Sequence, residues 1–360
     1  CFDLTDNVIS RPDCDFEATK LMISRDLFVK PHLIRWAHLD LALRDRILRG
    51  EAAGPRLLCA GQPLTTRGGH CHFWGGEVDS DDEARAFVRL QRDHGADWIK
   101  VMATGGVLTK GTRPAEAQFS QQRLDAVCDE ARRAQRRVAA HCHATEGIRR
   151  AVRAGVDTIE HCSWAGPKGF GVDFDEESAR RIGQGGTSVS PTVNAGWRRF
   201  IERDGSETEF FTNMRRAFDA LRAAGARLIA STDAGIPNVA HHDLPRALPV
   251  FARFAGLSPV EALRAATSDA ADAFDLETGR LRPGLEADVL VVQGDPLEDL
   301  GALIRLDLSH AHTTNNFFTE GCQVVVQGEY SNSVFHVVVS CTNICINHTC
   351  CCLYRLFVFK

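Results

Sequence analysis

Lys100, His141, His161 and Asp233 are far apart in the chain but sit in similar surroundings. Each lies in or at the end of a short apolar run that reads as a buried strand. The runs are Ala96-Asp-Trp-Ile-Lys-Val-Met102, Arg137-Val-Ala-Ala-His141, Val156-Asp-Thr-Ile-Glu-His161 and Arg227-Leu-Ile-Ala-Ser-Thr-Asp233. Neutral imidazoles suit zinc, and a carboxylate completes such a shell. A bound divalent ion polarises a carbonyl and supplies hydroxide at neutral pH. Asp233 suits two roles, metal ligand and general base. An ammonium is a poor ligand, but a desolvated lysine can become nucleophilic and take up carbon dioxide. The carbamate is then an anionic bridging ligand, and Lys100 is the candidate. Singly, each residue has a plainer reading: a strand-end histidine in the core, an aspartate capping a turn, or a lysine paired at a rim.

The elements that must carry these residues are legible around them. Leu39 to Leu48 is expected to be helical, ending at Gly50, and Pro55-Arg-Leu-Leu-Cys-Ala60 a short buried strand. Asp81 to His94 has a helical apolar side that Gly95 stops. Ser120 is suited to cap the next helix, with Leu124, Val127, Ala131 and Ala134 at helical spacing. Thr145 is expected to cap a helix ending at Gly155. Further helices are expected over Phe174–Gly183 and Phe210–Ala224, with a strand over Thr187–Thr192 between them. Ser258-Pro-Val-Glu261 spells a capping box opening a helix that runs to about Phe274. Strand and helix alternate, which predicts an α/β fold with a parallel sheet. In a parallel barrel, the C-terminal strand ends face one mouth, where these four residues would meet.

Composition limits the function classes. The chain has 360 residues, 44% hydrophobic and 25% charged, with a formal net charge of -5. That balance suits a soluble globular protein and argues against nucleic-acid or membrane partners. No apolar run is long enough to span a bilayer and no signal peptide is visible, so a cytoplasmic location is expected. The 13 cysteines are odd in number, and those in the body read as small buried hydrophobes. Four stretches are expected: an atypical segment over 1–38, a hydrolase barrel over 39–275, a small β-domain over 276–330 and a Cys-rich tail over 331–360. Within the last two, Ala287–Val292 and Gln323–Gln327 read as strands.

Taken together, the motifs resemble the metal-dependent amidohydrolase superfamily, in its imidazolonepropionase-like branch that includes Xaa-Pro dipeptidase-like enzymes. The matching text is Trp98-Ile-Lys-Val-Met-Ala-Thr-Gly-Gly106, Ala140-His-Cys-His-Ala144, Thr158-Ile-Glu-His161 and Ser231-Thr-Asp-Ala-Gly235. It continues through Ser258–Thr267, Gly279–Asp288 and Gly294-Asp-Pro-Leu297. The resemblance implies a (β/α)8 TIM-type barrel with a small β-sandwich appendage. It implies one or two Zn2+ ions, bridged by carboxylated Lys100. His141 and His161 would bind the second ion, and Asp233 would bind the first and act as base. His143 would lie beside the site, and His241 would touch substrate.

The implied reaction is cleavage of an amide or peptide C–N bond in a small substrate, a dipeptide by the branch, with a homo-oligomer an open partner state. A cyclic amide hydrolase or deaminase of the same superfamily is the first alternative. The second is an inactive or truncated barrel, because the family's first-strand His-x-His pair has no counterpart before residue 70. His70-Cys-His72 has that spelling but lies in a Gly-Gly-His loop, where it reads as a weak substitute. His310-Ala-His312 is weaker still.

Overall fold

Apolar β-branched and small residues at Trp98–Met102, Arg137–Ala144, Thr158–Ala165, Ser188–Ser190 and Arg227–Leu228 form strands β1, β2, β3, β4 and β7. They make one five-stranded sheet in the order β1-β2-β3-β4-β7. Every pairing in it is parallel. This computed structural model describes residues 38–52, 54–280, 282, 285, 290–304, 335–338, 343–346 and 349–352. The short hairpin between β4 and β7 supplies β5 (Glu202–Arg203) and β6 (Ser206–Glu207).

The helices that join the strands are α1 (Leu39–Leu48), α2 (Asp81–Asp93), α3 (Gln121–Arg133), α4 (Thr145–Ala154), α5 (Glu176–Gly185) and α6 (Glu209–Ala223). After β7 come α7 (Leu244–Ala255), α8 (Pro259–Ala265) and α9 (Ser268–Phe274). Ser120 caps as expected, and Ser80 and Asp175 do the same for two other helices. Ser80 accepts from the Glu83 amide, Ser120 from Arg123 and Asp175 from Ser178. Such caps satisfy amides that the first turn leaves unpaired. Ser258 and Glu261 form the expected reciprocal capping box. Thr145 is instead the first residue of α4, and its hydroxyl donates to the Asp173 carbonyl.

Three further differences have physical causes. The helix expected from Ser258 to Phe274 divides at Ala266–Thr267. There Thr267 leaves helical geometry and its hydroxyl takes the Leu263 carbonyl. The Ala265 carbonyl accepts from the Ala230 amide, so the break ties this helix pair to the chain running toward Asp233. Pro55–Ala60 is extended but forms no regular ladder. Its Cys59 amide donates to the Asp97 carboxylate, its Cys59 carbonyl accepts from the Trp98 amide, and beyond it Leu64 bridges β1 in parallel with Val101. Helix α7 was not expected, because Pro249 lies inside it. Its buried face, Leu244, Leu248, Phe251 and Phe254, offsets the one lost amide donor.

The sheet has two unlike faces. Val101, Ala140, Ile159 and Val189 stand level across β1–β4 and join the main core. Helix residues Val88, Leu124, Val127, Ile148, Ile182 and Phe218 complete that core. The residues on either side of that row point the other way, because strand side chains alternate. Lys100, Ala139, Thr158 and Ser188 form one inward row, and Met102, His141, Glu160 and Ser190 the next. Beneath them Ala60, Trp98, Ile229, Ala270 and Phe274 form a second apolar cluster. This α/β arrangement is of the TIM-barrel type, with the candidate site at the C-terminal strand ends.

Leu290–Gln293 is a strand (β8) that overlaps the expected Ala287–Val292 run and ends one residue beyond it, and it pairs antiparallel with Phe335–Val338 (β9). Asn343–Ile346 (β10) and Thr349–Cys352 (β11) form another antiparallel pair. The strand expected at Gln323–Gln327, the pair His310 and His312, and most of the segment over 1–38 lie outside the described residues. Among the described residues, no helix is long and apolar enough to cross a membrane.

Candidate metal centre

Strand β2 alternates normally, so His141 and His143 both face the inner side, two residues apart. Strand β3 does not. His161, Cys162 and Trp164 adopt φ of 67, 46 and 48°, the left-handed region that non-glycine residues seldom use. That twist brings His161 to the same side as its neighbour Glu160. Its ring lies 4.5 Å from that of His141 and 4.4 Å from that of His143. Backbone strain of this kind costs stability and persists where the surroundings hold it.

The three imidazoles His141, His143 and His161 place one nitrogen each within 4.8 Å of the other two, close enough to share an ion. Each ring also has one nitrogen engaged by the protein. His161 Nδ1 pairs with Thr192 Oγ1 at 2.6 Å, and His143 Nδ1 with Ser163 Oγ at 2.8 Å. His141 Nε2 is 3.2 Å from the Gly105 carbonyl. Metal-binding histidines typically use the second nitrogen in this way, which sets ring orientation and tautomer. Burial holds all three well below the ordinary imidazole range, so each is neutral and has a lone pair to offer. This donor set fits a zinc-like ion.

Lys100 is 1% exposed. It stands in the inward row one step before that of His141, near enough to His70, His141, His161 and Asp233 for a charge on it to bear on each. Asp233 stands at the end of the β7 segment with φ 60°. The ladder gives way there to side-chain bonds: Ser190 Oγ meets Ser231 Oγ at 2.8 Å, and the Thr192 amide donates to Ser231 Oγ at 2.9 Å. Burial pushes the Asp233 carboxyl up to about 7, the Lys100 charge opposes that rise, and Glu160 adds to it. Among the described residues, the histidine group within one ion's reach includes neither Asp233 nor His241. His241 lies half-buried before α7, held low by burial and by His242.

The weak pair His70-Cys-His72 divides. Cys71 adopts φ 58°, which turns the two histidines apart. His72 Nδ1 lies 2.9 Å from the Gly69 carbonyl, and its ring packs on Phe73. His70 instead lies against the site, its ring 4.5 Å from that of His141. It is 5% exposed, and its Nδ1 is buried without a hydrogen-bond partner. Burial and the Lys100 charge lower it to about 4. The sequence signals for it are the His-x-His spelling and the Gly-Gly-His loop.

The family profile of the amidohydrolases matches residues 33–331, and the chain belongs to that family. The crystal structure of a Xaa-Pro dipeptidase with bound methionine in the active site is similar, with a TM-score of 0.64 at 29% identity. That match covers 75% of this chain and 70% of the other. A prolidase complexed with N-methylphosphonate-L-proline gives a TM-score of 0.62 at 26% identity, covering 79% of each chain. Ochratoxinase from Aspergillus niger is 29% identical over 287 residues, 70% of this chain and 57% of that protein. The chain therefore spans little more than half the length of this curated relative.

Proposed function

We propose that this chain is a metal-dependent hydrolase that cleaves an amide or peptide C–N bond in a small substrate, a dipeptide as the preferred class. The convergence of three neutral histidines, buried or half-buried, with one nitrogen each within 4.8 Å of the other two, at the strand ends beside buried Lys100, carries the reading. Membership of the amidohydrolase family and likeness to a Xaa-Pro dipeptidase and a prolidase support it. Likeness to ochratoxinase keeps a non-peptide amide as the second substrate class.

His141, His143 and His161 would hold a divalent ion, zinc by donor chemistry. When bound, the ion supplies Lewis-acid polarisation and water activation. The chain's own residues do the rest. Once its ammonium has given up a proton, Lys100 Nζ would add to carbon dioxide, forming an N–C bond and releasing a second proton, and the carbamate would be an anionic ligand. Asp233, raised to about 7, can take a proton and return it near neutral pH. It would pass that proton to the leaving nitrogen. Thr192 and Ser163 hold two of the rings in place. His241 remains our candidate for substrate contact from the loop after Asp233. A cytoplasmic location and a homo-oligomer belong to the same proposal.

Metal analysis and turnover test it together. Zinc-loaded protein should contain at least one ion per chain and hydrolyse members of a panel of Xaa-Pro dipeptides and N-acyl amides. Lys100→Ala should lower kcat/KM by roughly a hundredfold or more. A wild-type chain that retains less than one ion and turns over nothing in the panel would sink the reading.

A further inference from the structure

Glu160 is a buried acid that, apart from its effect on Asp233, has no assigned role. It is 2% exposed, yet only one of its carboxylate oxygens is bonded. Oε1 accepts from Thr158 Oγ1 at 2.7 Å, and Oε2 has no hydrogen-bond partner. Its Cα is the direct cross-strand partner of His141, so the two side chains share the inner face. His161 follows it in the chain. Its negative charge also acts on Asp233, from the side opposite in effect to Lys100.

A buried carboxylate with one hydrogen bond carries a large desolvation cost and gains little in return. Glutamine would keep the Thr158 bond at lower cost. The anion therefore has a use that glutamine would not serve. The histidine triad brings no charge of its own, because its rings are neutral. A divalent ion there adds two positive charges to a site with little water. A nearby fixed anion offsets them through a low-dielectric interior, where such interactions fall off slowly.

We propose that Glu160 is the counter-charge of the metal centre, a positioning residue that is not itself a ligand but holds the divalent ion in place from the adjoining inner position. The inference rests on the metal-centre reading above. It separates cleanly from a structural role, because the two predict opposite signs. As a counter-charge, Glu160 destabilises the metal-free protein and strengthens metal binding. As a structural residue, it stabilises the metal-free protein and leaves binding alone.

The test uses the full chain, stripped with a chelator and titrated with zinc. Glu160→Gln should weaken zinc binding by roughly tenfold or more. The melting temperature of the metal-free variant should equal or exceed that of wild type. Zinc affinity within about twofold of wild type would overturn the inference alone. So would a metal-free variant that melts well below wild type. A wild-type chain that takes up no zinc would overturn the inference together with the reading beneath it. Failure of Glu160→Gln to fold would overturn the inference as well, and Thr158→Val is the companion variant. It removes the one hydrogen bond and leaves the charge, so zinc affinity should stay within about twofold. A tenfold loss in Thr158→Val would show that bond geometry, not charge, matters, and would overturn the inference.

Discussion

The ring of His70 fills the space that a Cβ on Gly106 would need. An ideal Cβ there would lie 2.4 Å from both Cε1 and Nε2 of the imidazole. The ring is buried, so it has little room to yield, and the glycine after β1 is what lets the 66–74 loop lay His70 against His141. Gly106→Ala should push the ring away. The expected outcome is a fall of roughly tenfold or more in kcat/KM with the far-ultraviolet circular dichroism unchanged. Activity equal to wild type would show that the His70–His141 contact has no part in turnover.

The bond between Thr192 Oγ1 and His161 Nδ1 is short and buried. Thr192→Val keeps the shape and removes the hydroxyl. Metal affinity should fall by about 10–100-fold, the usual effect of losing the partner that orients a histidine ligand. Competition with a chromogenic chelator measures it. An unchanged affinity would mean that His161 is held by packing alone.

Acid should destabilise the metal-free protein. Burial holds His70 down at about 4 and His143 at about 3, and His141 and His161 also lie well below their usual value. Between those values and 6.5 the unfolded chain binds more protons than the folded one. Stability therefore rises with pH across that window. The contribution is fully present above about 6.5 and is lost as pH falls toward 4. Urea midpoints of chelator-treated protein at pH 7.5 and pH 5 provide the check, and a midpoint that rises on acidification would contradict the burial of these rings.

Much of this was legible in the residues themselves. Ser120 and Ser258 cap helices because a short side-chain oxygen at those positions meets an unpaired amide, which is a local interaction. The buried runs around Lys100, His141 and His161 became neighbouring parallel strands because alternating strand and helix leave few other arrangements. Helix α7 was not legible, because an internal proline opposes a helix locally and only the core it buries into outweighs that. The division at Thr267 was hidden for a similar reason: it depends on a carbonyl reaching Ala230 in another element.

Sequence alone determined the chemistry on offer: a buried lysine, histidines at strand ends, an aspartate before Ala234-Gly235, and the order in which they occur. Only the tertiary structure decided which of them meet. It placed His143 in the ion-sized group, brought His70 to His141 and parted it from His72, and set Glu160 level with His141. Within one strand, a period of two says which side chains share a face. The register between strands and the left-handed turns at Cys71 and His161 are set by pairing and packing across the whole fold, and those choices aim the side chains.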